Sequence, residues 1–145
     1  MFMANKVGII QLPCPELLCL GLDRQDKHGS ERNLLDENTR IRKLMQKNGN
    51  TALLRKKVQE VVTQVREYRE YGFSIIGLVG INRSPSCGIE TTSIDGKEEP
   101  GRGVFMQVIA EELQKENLEL KMVGVKTSKI EESLETVRQL LKDCV

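Results

Sequence analysis

Aromatic side chains are scarce in this chain of 145 residues: two Tyr, three Phe and no Trp. With so few stacking surfaces, a platform for single-stranded nucleic acid is not expected. Histidine is scarcer still. His28 is the only one, so no second imidazole exists to share a metal, and its polar surroundings read as a surface loop. Surplus charge is also missing: 22 Lys and Arg against 21 Asp and Glu leave a formal net charge of +1. Nothing electrostatic then points to DNA or an anionic membrane as partner. No apolar run approaches a membrane span. The first residues lack a basic stretch followed by a long apolar one, so no secretion signal is expected. The expectation is a cytoplasmic protein whose four cysteines stay mostly reduced unless they hold a metal.

What is present suits one domain with its own core. The most continuous apolar run, residues 73–81 (FSIIGLVGI), predicts a strand buried on both faces. Residues 7–12 predict a first strand, stopped by Pro13 and Pro15, and residues 120–125 a third. Residues 17–23 read as a short helical turn, and polar residues 24–34 as a mobile loop. Helices are expected over 36–47, ended by Asn48-Gly49-Asn50, and over 51–71. In the second, Leu54, Val58, Val61, Val62, Val65 and Tyr68 form an apolar stripe, and Gly72 fits a C-cap. Residues 89–94 predict a short extended piece before an Asp95-Gly96 turn, and residues 104–116 a helix. Ser128 and Glu131 fit a capping box for a last helix through Lys142, with Ile130, Leu134, Val137 and Leu141 facing inward. The order predicts an α/β domain of three layers, with a mostly parallel sheet and helical crossovers. Three core strands are few for that architecture, so a partner chain, as in a homodimer, is expected over an open edge unless a piece of the usual domain is missing.

Two loops concentrate the chemistry. Pro13-Cys14-Pro15-Glu16 follows the first strand, and Arg83-Ser84-Pro85-Ser86-Cys87-Gly88 follows the second. Ligands bind at the carboxyl ends of the strands in open α/β sheets. If these strands are parallel and close, Cys14 and Cys87 meet in one pocket beside Glu16, Ser84 and Ser86. Three readings follow. The group holds a metal centre through thiolates, or runs thiol nucleophile chemistry at Cys87, or is structural, since buried cysteine is common in cores.

Taken together, Ile10-Gln11-Leu12-Pro13-Cys14-Pro15-Glu16, then Gly21-Leu22-Asp23-Arg24, then Ser84-Pro85-Ser86-Cys87-Gly88 resemble the thiouracil desulfurase family and its branch of related desulfidases. The resemblance runs from Val7 to about Val125. It implies a small Rossmann-like domain and a [4Fe-4S] cluster held by three cysteines with one iron open. That iron would take sulfur from a small thiolated substrate, such as a thiolated uracil, and release it as sulfide. Cys14 and Cys87 match two of the cluster cysteines. Glu16 and Ser84 match positions expected to handle protons and orient substrate. The family's first cysteine lies upstream of the first strand, where this sequence has no counterpart. Cys19 is the candidate third ligand, another subunit the alternative. A lost cluster and a fragment of a longer gene product are the remaining options. Cys144 is expected to be only a terminal thiol.

Arg24 and Arg83 flank the two loops and, with Ser86, are the candidate substrate-binding residues; the bland alternative is that the arginines are simply solvated. Gly101-Arg102-Gly103, entering a helix, suggests an anion site on free amides, or just a turn.

Overall fold

The computed structural model describes residues 1–143. Helix α1 spans Pro15–Leu20, α2 Leu34–Met45 and α3 Asn48–Glu70. Strand β1 follows at Leu78–Ile81, then the hairpin β2 (Thr91–Ile94) and β3 (Lys97–Pro100). Helix α4 (Val104–Lys115), strand β4 (Met122–Val125) and helix α5 (Ile130–Lys142) complete the order. Short 3-10 turns lie at Met3–Asn5 and Gly29–Glu31.

The longest helix forms where apolar spacing demands it. Leu54, Val58, Val61, Val62 and Val65 recur at three- and four-residue steps and are buried. They pack with Phe105, Val108, Ile109 and Leu113 of α4 and Ile41 and Met45 of α2. Tyr68 ends the stripe more openly, edge-on to Phe73 with ring centroids 5.5 Å apart. Gly72, at φ 82°, turns the chain out of the helix. The segment expected to end α2 is a corner between two helices: α3 begins at Asn48 itself, while the Asn50 side chain donates to the Leu44 carbonyl (2.9 Å) and closes α2.

β1 and β4 are parallel, with Leu78 opposite Met122 and Ile81 opposite Val125. Alternation sends their side chains to two layers. Leu78 and Met122 pack on the α3–α4 core. On the other face Val123 is buried at the strand that α5 packs against, and Leu140 of α5 sits over Gly77. The domain is therefore a small α/β fold with helices on both faces of a parallel pair joined through α4. A second, antiparallel pair comes from the β2–β3 hairpin. Its turn is Asp95 (φ 47°) and Gly96 (φ 73°), the left-handed pair that a two-residue hairpin needs.

Several expectations are corrected. Residues 7–12 form no strand; Ile9 and Ile10 are exposed, and only Leu12 reaches the core. The run lies along α3, where Ile10, Leu12 and Pro13 share a shallow cavity of about 120 Å³ with Lys57, Val61 and Gln64. At the outer edge of β1, the amide of Ile81 is already taken by the Cys87 carbonyl (2.9 Å). The strand expected over 73–81 shrinks to four residues and is not buried on both faces, since Val79 is 39% and Ile81 50% exposed. No capping box forms at α5. Ser133, not Ser128, does the local bonding, with its hydroxyl on the Lys126 backbone. Ile130 stays outside and Leu140 joins Leu141 inside.

Ile109 has no exposed surface and lies at the centre of the α3–α4 contact. Ile109→Ala is expected to lower the unfolding free energy by about 2–5 kcal/mol in urea titration. A loss under ~0.5 kcal/mol would mean that this contact is not the core.

Candidate functional site

The second loop is built by its neighbours. The Asn82 side-chain oxygen accepts from the amides of Ile89, Glu90 and Thr91 at 3.3, 3.1 and 3.4 Å, folding the chain back after β1. Arg83 takes φ 72° and is held by its backbone: its amide donates to Thr91, its carbonyl accepts from the Ser93 hydroxyl (2.6 Å). The Thr92 hydroxyl donates to the Ser84 carbonyl (2.9 Å). Arg42 of α2 reaches over, its Nη1 donating to the carbonyls of Pro85 and Arg102 and to the Thr92 hydroxyl.

The opening amides of α4 complete the cradle. A helix leaves its first N–H groups without internal partners. Here Gly103 donates to the Gly88 carbonyl (3.0 Å), Val104 to Pro85 (2.9 Å) and Phe105 to Ser86 (3.1 Å). The suggestion of an anion site on the Gly101-Arg102-Gly103 amides is thereby corrected at Gly103, whose amide is spent on the loop. The approach is close enough that a side chain at Gly103 would strike the Ser86 backbone, and one at Gly80 the Cys87 carbonyl.

Within this cradle the Ser84 hydroxyl oxygen accepts from the Ser86 and Cys87 amides at 3.3 and 3.0 Å. Cys87 packs against the core. Burial first, then the nearby Glu16 and Cys14, push its thiol up to about 12; the Ser84 contact pulls the other way. Cys87 is thus a neutral thiol at physiological pH. Cys14, at the entry to α1, is exposed.

Glu16, in the first turn of α1 and only 8% exposed, joins the two loops. One carboxylate oxygen accepts from the Ser86 hydroxyl at 3.0 Å, the other from Arg24 Nε at 2.6 Å. The hydrogen bond to Glu16, and its charge, raise the Arg24 guanidinium further above its ordinary range, against the opposing effect of burial. Arg24 and Gln25 adopt φ 52° and 63°. Non-glycine residues enter that region at a cost. The loop from residue 24 is braced by Arg32 on Asp26 (2.6 Å) and Arg40 on Glu37 (2.5 Å), while Arg40 also holds the Arg24 carbonyl (3.0 Å).

The structure thus ties the loop of Cys14, through Glu16 and Arg24, to the loop of Ser84, Ser86 and Cys87. It changes three assignments. Ser86 has no exposed surface, so it positions Glu16 and cannot meet a substrate. Arg24 is engaged by Glu16 through Nε, which makes it first a partner of that carboxylate. The Cys19 thiol, the expected third ligand, donates to the Asn50 carbonyl (3.8 Å) and packs against the core. Arg83 joins the site through its backbone, and the charge of its side chain acts on Glu98. Arg42 and Asn82 organise the loop without lying in either motif. Among the described residues no three His, Cys, Asp or Glu are grouped to hold a metal ion. Cys144 lies outside the described residues. The described residues therefore supply two thiols and do not by themselves fit a three-thiolate cluster.

Comparison with known proteins gives a distant relative. The chain is similar to "Uncharacterized protein MJ0003" of Methanocaldococcus jannaschii, 29% identical over 121 residues, which is 83% of this chain. The chain spans 63% of that relative's length. No family model matches the chain. No solved structure matches it either.

Because Cys87 is held protonated, an alkylating reagent at pH 7–8 is expected to modify Cys14 well ahead of Cys87 in the folded protein, as read by peptide mass analysis. Folding raises the Cys87 value from 9.0 to about 12. The sign follows: the folded state keeps a proton that the unfolded state loses, so stability falls as pH climbs from about 9 toward 12. Cys87→Ala should flatten that stretch of the profile. Equal alkylation of both thiols at pH 7 would contradict this environment for Cys87.

Proposed function

We propose that this chain carries the sulfur-handling site of an iron–sulfur-dependent desulfurase acting on a small thiolated molecule of the thiouracil kind, with the cluster completed by a ligand other than the described residues. One observation carries the reading: Glu16, two residues after Cys14, accepts from Ser86, the neighbour of Cys87, so a carboxylate ties together the two cysteine-bearing loops. Replacing C=S by C=O needs a proton carrier near the sulfur and an activated water. Glu16 stands between the loops, held by Arg24 and Ser86. The Ser84 hydroxyl oxygen accepts the Cys87 amide.

A second reading has its own support. The Glu16–Arg24 pair between the two loops offers a charged group to which a small polar molecule could be held without desulfuration. A thiol-redox protein is disfavoured by the same burial that keeps Cys87 protonated, since the thiolate is the attacking species.

Anaerobic reconstitution with iron and sulfide separates these readings. The desulfurase reading expects broad visible absorption with bound iron and sulfide, abolished in Cys14→Ser and in Cys87→Ser and retained in Cys19→Ser. Colourless wild-type protein would sink it. The binding-module reading instead expects ligand-induced thermal stabilisation that survives Cys14→Ser.

A further inference from the structure

We propose that the polar cavity at the carboxyl ends of β1 and β4 binds a small zwitterion of the α-amino acid class. In open α/β sheets that edge is where ligands bind. The cavity has a volume of about 230 Å³ and is lined by Asn82, just past β1, by Gly124 and Lys126 at the end of β4, and by residues of the first turns of α5. Neither Cys14, Cys87 nor Glu16 lines it, so the site is separate from the two cysteine loops and does not rest on the desulfurase reading. Pockets for drug-sized ligands run to about 300–1,000 Å³. This one is smaller, which excludes a nucleotide and admits a small amino acid.

The charges of the lining select the ligand. Lys126 and Lys129 stand against Glu90 and Glu132 in one small space. Two positive and two negative groups cancel, so a bare anion or a bare cation meets repulsion as well as attraction. A molecule with one charge of each sign suits both pairs. Spare bonding capacity is there to take it. Lys126 gives one N–H to Glu98 (2.5 Å) and keeps two. A carboxylate has about four acceptor positions. Glu90 fills two of them, with the Gly124 amide (3.0 Å) and the Asn82 side chain. Lys129 and Glu132 form an exposed ion pair at 2.9 Å, of the kind worth little in water, so a ligand's carboxylate and ammonium replace it at small cost. The walls are set beforehand, which lowers the ordering cost of binding. The Ser133 hydroxyl accepts the Lys126 amide and donates to the Lys126 carbonyl, both at 2.9 Å. Gly124 is what lets the Glu90 carboxylate lie across the strand end, since a side chain there would strike both Glu90 and Asn82.

The test is calorimetric titration of the full chain with glycine, L-alanine and L-serine, with acetate and ethylammonium as probes of one charge each. Saturable binding of at least one of the three amino acids is expected, and it should be at least about 10-fold tighter than either single-charge probe. Lys129→Ala should weaken it by about 10-fold or more, because a hydrogen bond to a charged group is lost. Thr136→Phe should abolish it by filling the space that Thr136 lines. Lys129 is exposed, so its alanine variant is expected to fold, with circular dichroism as the check; it decides the matter if Thr136→Phe does not. Cys14→Ser should bind as wild type. No binding of any of the three amino acids, equal binding of acetate or ethylammonium, or unchanged binding in Lys129→Ala would each overturn the proposal. Binding lost in Cys14→Ser would place the ligand at the cysteine loops and overturn it too. Iron and sulfide incorporation is read separately, so a colourless protein that binds an amino acid removes the desulfurase reading and upholds this site.

Discussion

The opening turn of α4 holds the site together. Its amides have no partners inside the helix, and the helix dipole makes that end attractive to oxygen. In many α/β proteins such an end waits for a ligand's phosphate. Here it is filled by the protein's own carbonyls, from Pro85, Ser86 and Gly88. The loop is thereby fixed from below. With its carbonyls turned down toward α4, the Ser86 and Cys87 amides turn onto the Ser84 oxygen, and the Ser86 hydroxyl is free to reach Glu16. One contact leads to the next until the second loop is tied to the first.

The same chain of contacts decides which groups face outward. Ser86 and Arg24 are drawn toward Glu16, and Cys87 sinks against the core. What remains accessible is Cys14, part of Cys87, part of Arg24 and the rim near Ser84. A carboxylate with a guanidinium on one side and a hydroxyl on the other is well solvated by protein, which is how it tolerates being 8% exposed. That arrangement costs backbone strain at Arg24 and Gln25, and the ion pairs of Arg32 and Arg40 brace the segment that bears it.

Much of this was legible in the amino-acid order. The α3 stripe has a helical period and lies in the core as its spacing implied. Asp95-Gly96 made its hairpin turn because few other pairs accept two left-handed residues. The meeting of the two motif loops was expected from two parallel strands; the first of these does not form, and the loops are joined instead by the Glu16–Ser86 bond. Other features had no local signature. β3, Lys97-Glu98-Glu99-Pro100, has no apolar alternation and exists because β2 lies beside it. Residues 7–12 have strand-like composition, but composition cannot guarantee a ladder partner. Arg42 and Asn82 act through backbone oxygens and amides distant in sequence or folded back over them, a role that spacing does not encode. Ser86 and Arg24 were expected to meet substrate, and their engagement with Glu16 was not legible, because burial and hydrogen-bond partner are tertiary facts.

The order of the chain gives the α4 contact a consequence in time. A ribosome makes the Ser84–Gly88 loop before it makes Gly103 to Phe105, and folding during synthesis proceeds from the amino end. In that interval the loop has no clamp, and the Cys87 sulfur that later rests on the core is open to the surrounding solution. The emergence of α4 is therefore the step that fixes the loop and draws Cys87 against the core.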